Sequence, residues 1–136
     1  MLEFFLKVKE FRYRSALPVG MVPHNLNMDQ LSYYEKFVQE EMTELRDAIE
    51  DDDLVGAADA IGDLIYLLIG ASHMMAIPLP EILEEIHRCN MNKVPGPNKR
   101  GANDSMKPAD WVGPEERIRW LIDHYSTVCL AREKTV

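Results

Sequence analysis

Two pairs of acidic residues stand where a helical pattern expects core: Glu41 with Glu44, and Asp59 with Asp63. The second pair interrupts a segment that is otherwise almost wholly apolar, AADAIGDLIYLLI over 57–69. A buried charge without a partner is costly, and its usual escapes are pairing or metal coordination. Four facing acids with no basic partner between them read as a divalent-cation site. Oxygen-only ligation suits Mg²⁺ or Mn²⁺ and leaves positions open for phosphate oxygens.

Helical phase sharpens the assignment. At about 100° per residue, Glu41 falls inside the apolar arc of Leu31, Tyr34, Phe37, Val38, Leu45 and Ala48, and Glu44 falls at its edge. Glu40 lies further out. Asp59 and Asp63 are four apart, so they stack on one helix face. Asp63 is followed by six residues, LIYLLI, that leave it little access to bulk water. Solvation explains most acid-rich helix faces, and a first-turn position near the helix dipole explains Asp59 equally well. Neither explains Glu41 or Asp63.

The elements that must position these acids are helices. The spacing predicts helices over 1–12, 29–51, 53–75, 80–92 and from 114 onward. Asp29 is a candidate N-cap for the second, and Asp52 or Asp53 for the third. A short connection near 51–53 makes the two long helices antiparallel neighbours. Both acid pairs lie about seven to eleven residues from that turn, so at ~1.5 Å per residue they reach the same height. Residues 94–113, rich in Pro, Gly and Asn, predict a long irregular loop. The expected fold is all-α: a single 1–136 domain built on a central antiparallel pair of long helices.

Composition bounds the function. The net charge is −8, which excludes a nucleic-acid polymer as partner, since binding one needs clustered Lys and Arg. Two cysteines, Cys89 and Cys129, match no metal knuckle and fit a reducing, cytoplasmic setting. The apolar run over 54–79 is broken by Asp59, Asp63, Ser72, His73 and Pro78, which makes a poor membrane span and a good core helix. Against the acidic background, Lys99, Arg100 and Lys107 form a local basic group suited to phosphates. Asn90 and Lys93 continue the stripe of Ile82, Ile86 and Cys89 and point inward at a helix end. Tyr66 and Trp111 offer stacking surfaces for a base or sugar, although core packing explains them as well.

Three motifs in this order carry a resemblance: EEMTEL at 40–45, DAIGDLIYLL at 59–68 and HRCNMNK at 87–93, extended by KPADW at 107–111. Together they resemble the MazG-like all-α nucleoside triphosphate pyrophosphohydrolases over about residues 30–112. The resemblance implies a helix bundle completed by homo-oligomerisation, as a dimer or tetramer. It also implies Mg²⁺-dependent hydrolysis of a nucleoside triphosphate between the α and β phosphates, on a dGTP/GTP- or dUTP-type substrate. By that pattern Glu41 and Glu44 are metal ligands, Asp63 closes the second acidic motif, and Asn90 with Lys93 contacts phosphate or sugar. The chain departs from the pattern at Ala60, where the family places a Glu; Asp59, one residue earlier, is the substitute. Glu40 then gains weight as a catalytic base beside Glu41.

Two other classes fit parts of the chain. Glu84 and His87 match a carboxylate-bridged di-iron motif, but both lie off the apolar stripe of their helix. A non-catalytic acidic helical interaction module would leave function intact when Asp63 is changed to Asn.

Overall fold

The computed structural model describes residues 1–97, 100–101 and 103–133, and the chain divides into two compact units, Met1–Ile77 and Pro78–Val136. The described residues are mostly helical, as the hydrophobic periodicity requires.

The first unit holds α1 (Leu2–Arg14), α2 (Met28–Glu50) and α3 (Leu54–Met74). Helix α1 buries Phe5, Val8 and Arg12, a stripe at helical spacing, against α3. His73 fastens the two: its Nε2 lies 2.7 Å from the Phe5 carbonyl and its ring stacks on Phe5 at 3.8 Å. The following loop is held to the end of α3 by Gly20 N–H to the His73 carbonyl (2.9 Å) and His24 N–H to the Met75 carbonyl (3.1 Å).

The N-cap of α2 lies two residues earlier than the sequence suggests. Asn27, not Asp29, is the N-cap, and it forms a capping box: its side chain accepts from Gln30 N at 2.9 Å while Gln30 Oε1 accepts from Asn27 N at 2.9 Å. A three-residue turn follows α2. Asp52 adopts a left-handed φ of 55°, and Asp53 caps α3 by accepting from Val55 N and Gly56 N at 3.1 and 3.0 Å. Close approach of the two helices depends on Gly56, where a Cβ would sit 2.6 Å from Asp53 Oδ2 and 3.3 Å from Ala48 Cβ.

Helix α3 is less covered than its composition predicts. Ala57, Ala60, Ile69 and Gly70 are buried, but Leu54, Ile61, Ile65 and Leu68 form an outward stripe, 44–83 % exposed. By length and composition alone α3 could cross a membrane; α1 and α2 pack against it, and it carries Asp59 and Asp63. The expectation that 57–69 is buried all round is therefore corrected: the chain has only enough helices in this unit to cover one side.

The second unit comprises α4 (Leu79–Met91), β1 (Val94–Pro97), β2 (Asn103–Met106), α5 (Glu115–Asp123) and α6 (Tyr125–Glu133). Pro80 lies in the first turn of α4, where its missing N–H is harmless. Instead of a wholly irregular 94–113 segment, an antiparallel hairpin pairs Val94 with Met106 and Pro97 with Asn103. Gly96 permits it, because a Cβ there would meet Met106 Sδ at 2.5 Å. The last predicted helix is two, interrupted at His124.

The caps give a direct test. Asn27→Ala and Asp53→Ala should each lower the unfolding free energy by about 1 kcal/mol in urea titrations. Asp29→Asn, which touches no cap bond, should stay within about 0.5 kcal/mol of wild type.

Candidate functional site

The α2–α3 seam brings the predicted acids together. Glu41 is half-buried at its centre, and Glu40, Glu44, Asp59 and Asp63 are exposed around it. Glu41 Oε2 is out of solvent contact and has no hydrogen-bond partner among the described residues. Burial pushes the Glu41 carboxyl above its ordinary range, and the charges of Glu44, Asp63, Glu40 and Asp59 add to the effect in that order. All four neighbours therefore act on the same carboxylate. Asp63 is not shielded from water as its apolar surroundings suggest, because the side of α3 that carries it is open.

The donor set fits a hard divalent cation: oxygen only, at least four carboxylates, and one buried oxygen lacking a partner. Among the described residues no three acidic, His or Cys side chains converge closely enough to hold a metal as they stand. Coordination would need rotamer changes at the exposed Glu44, Asp59 or Asp63, which packing does not oppose. Glu84 and His87 lie exposed on α4, in the second unit.

One turn beyond Glu41, toward the start of α2, the same seam opens into a cavity of about 630 Å³. Phe37 and Tyr66 stand next to the acids, one turn from Glu41 and three residues from Asp63 respectively. Tyr66 also packs edge-on against Phe4 and Phe11, at 6.0 and 5.6 Å. Deeper in, Arg12 is buried with no carboxylate partner among the described residues. Its Nε and Nη2 donate to the Pro18 carbonyl (3.0 and 2.6 Å) and its Nη1 to Tyr34 Oη (3.3 Å). Gly70 makes room for it, since a Cβ there would lie 3.0 Å from Arg12 Nη1. Asp29 and Gln30 complete the wall. The signals for this cavity in the sequence are an Arg on the Phe5–Val8 stripe and the cluster of Tyr33, Tyr34 and Phe37.

In the second unit, Lys93, Arg100 and Lys107 line a separate cavity of about 470 Å³ with Asp104 and Ser105. Lys107 Nζ lies 4.1 Å from the centre of the Trp111 ring and Lys93 Nζ 5.8 Å. Trp111 Nε1 donates to the Cys89 carbonyl at 2.8 Å. Trp111 thus braces the two lysines, which leaves it a weaker candidate for stacking a base. Asn90 is exposed in the last turn of α4, and its carbonyl accepts from Lys93 N–H at 3.0 Å. Lys99 lies outside the described residues.

A model of the phosphoribosyl-ATP pyrophosphohydrolase family matches residues 12–90, more than half of the chain. This chain belongs to that family. The match runs from Arg12 through α2 and α3 to Asn90 at the end of α4, so it contains both acid pairs and the aromatic cavity. A search of curated proteins finds no match. The phosphoribosyl-ATP pyrophosphohydrolase family belongs to the MazG-like all-α superfamily that the sequence motifs resemble. Membership implies pyrophosphohydrolase activity on a nucleotide-type substrate.

Glu41 supplies a prediction that does not depend on turnover. A carboxyl raised above its ordinary value takes up protons on folding, so its ionisation opposes folding and stability falls as pH rises through the raised value. In EDTA at neutral pH, Glu41→Gln should melt at a higher temperature than wild type, with the difference shrinking as pH falls. Added Mg²⁺ should stabilise wild type and have little effect on the variant.

Proposed function

We propose that this protein hydrolyses a nucleoside triphosphate between its α and β phosphates, releasing the monophosphate and pyrophosphate with the help of Mg²⁺, for which Mn²⁺ can substitute. The observation that carries this reading is Glu41, half-buried with a partnerless oxygen and the charges of four more acids upon it, in a chain of a pyrophosphohydrolase family. Glu41, Glu44 and Asp63 would hold the cation, with Asp59 as the irregular fourth ligand. When bound, Mg²⁺ neutralises phosphate charge and makes the phosphorus more open to attack.

The chain's own residues do the rest. Glu40 or Glu41 orients the attacking water and takes its proton as the water oxygen bonds to the α phosphorus. The bond to the bridging oxygen breaks, and pyrophosphate leaves with the electron pair. Lys93, Arg100 and Lys107, with Lys99 and Asn90, are our candidates for phosphate contact, because cations balance the charge of the leaving group. No Ser, Cys or His nucleophile enters. The outward stripe of Leu54, Ile61, Ile65 and Leu68 supports a homo-oligomer, since covering it with a second copy would bury apolar surface that the single chain leaves in water. We place the enzyme in the cytoplasm on its two unpaired thiols.

Chromatography of products decides the reaction. Incubation with Mg²⁺ and a panel of ribo- and deoxynucleoside triphosphates, plus phosphoribosyl-ATP, should yield monophosphate and pyrophosphate in equal amounts. Diphosphate plus phosphate would refute the reading. Glu41→Gln and Asp63→Asn should each reduce turnover at least ~100-fold, and wild-type rates in both would dissolve the site assignment.

A further inference from the structure

Three glycines lie in α3, and two of them serve the fold: Gly56 admits α2 and Gly70 admits Arg12. Gly62 meets no such need among the described residues. It is mid-helix and exposed, and a Cβ there would have nothing within 4 Å. Glycine is among the poorest helix formers, so alanine in that open space would strengthen α3. Packing within the chain gives no reason for a glycine at this point.

The neighbours of Gly62 supply one. Residues three and four apart share a helix face. Asp59 is three before Gly62, Tyr66 is four after, and Asp63 is next in the chain. Along the axis Gly62 is ~4.5 Å from Asp59 and ~6 Å from Tyr66, which lines the aromatic cavity. Helix α1 reaches α3 at Tyr66, Gly70 and His73. One turn before Tyr66, α3 instead presents bare backbone beside the acids.

Gly62 also borders Ala58 and Ile65, which face outward. A second copy packed closely enough to need a glycine there would cover Asp59 too, a carboxylate with no basic partner among the described residues. A ligand that arrives with a divalent cation neutralises that charge. The open floor therefore suits a ligand better than another helix.

We propose that Gly62 is a substrate-contact residue: its bare backbone seats the sugar that adjoins the reacting α phosphate, and a side chain there would fill the seat. The inference deepens the pyrophosphohydrolase reading and rests on it for the phosphates lying at Glu41 and Asp63. The sugar takes the Gly62 side because the aromatic wall that follows at Tyr66 disfavours the more highly charged pyrophosphate end.

Gly62→Ala and Gly62→Leu test the seat. In EDTA, Gly62→Ala should raise Tm by about 3 °C. With Mg²⁺ and a panel of nucleoside triphosphates bridged by a methylene between the α and β phosphates, which cannot be hydrolysed, calorimetry should show Gly62→Ala binding about 10-fold more weakly and Gly62→Leu more weakly still. With hydrolysable substrate, KM should rise by a similar factor while kcat stays within about 2-fold, since the seat is used equally in ground and transition states. Sedimentation should show the oligomeric state of wild type. No analogue binding by wild type, wild-type affinity in both variants, or a Gly62→Ala protein that melts below wild type would each overturn the proposal. A changed oligomeric state would overturn it by assigning Gly62 to subunit packing. The two readings fail separately. Pyrophosphate release by Gly62→Leu at the wild-type KM would remove the seat and leave the reaction. Weakened analogue binding in a protein that releases no pyrophosphate from any substrate would remove the reaction and leave the seat.

Discussion

A carboxylate held in a helix seam among like charges is the constraint on which this molecule turns. Glu41 sits between α2 and α3 with one oxygen away from water, and Glu44, Asp63, Glu40 and Asp59 all bear on it. Burial and like charge both disfavour that arrangement in a bare fold. The seam that holds it is close enough that a Cβ on Gly56 of α3 would lie 3.3 Å from Ala48 Cβ of α2. Small residues on α3 let the helices approach, and the approach concentrates the acids. Stability and the proposed chemistry thus draw on the same seam in opposite directions.

The seam also has a gradient along its length. Near the turn it is tight, with Gly56 pressed against Ala48. At mid-length it carries the acids. Toward the start of α2 it widens, and α1 closes the gap with Phe11 and the buried Arg12. Arg12 is spent on the Pro18 carbonyl and the Tyr34 hydroxyl, not on a carboxylate, so it shapes the cavity wall while the carboxylates keep their negative field.

Much of this was legible in the sequence, for identifiable reasons. The order of the long helices, the short turn, an acidic cap at Asp52 or Asp53 and the inward phase of Glu41 follow from local rules of period and capping. The exposure of Asp63 was not legible, because a run of apolar residues reveals that a helix is sticky without revealing how many neighbours it has. The Asn27 cap was overlooked because Asp29, two residues on, is of an equally favourable type. The hairpin at 94–106 escaped because Pro and Gly at alternate positions erase the signature of a strand. Arg12 and the aromatic cavity depend on α1 docking against α3, and no periodicity within one segment encodes a contact across sixty residues.

The three-residue turn between α2 and α3 acts as a gauge. With Asp52 in a left-handed conformation and Asp53 bound to the first amides of α3, its length leaves no slack. One residue inserted just past the Asp53 cap and taken into the helix would slide the rest of α3 by ~1.5 Å and rotate it by ~100° against α2. Asp59 and Asp63 would then swing away from Glu41, and Gly70 away from Arg12. Sequence drift must therefore treat this turn as a fixed dimension, because two chemically unrelated parts of the seam are registered by it at once.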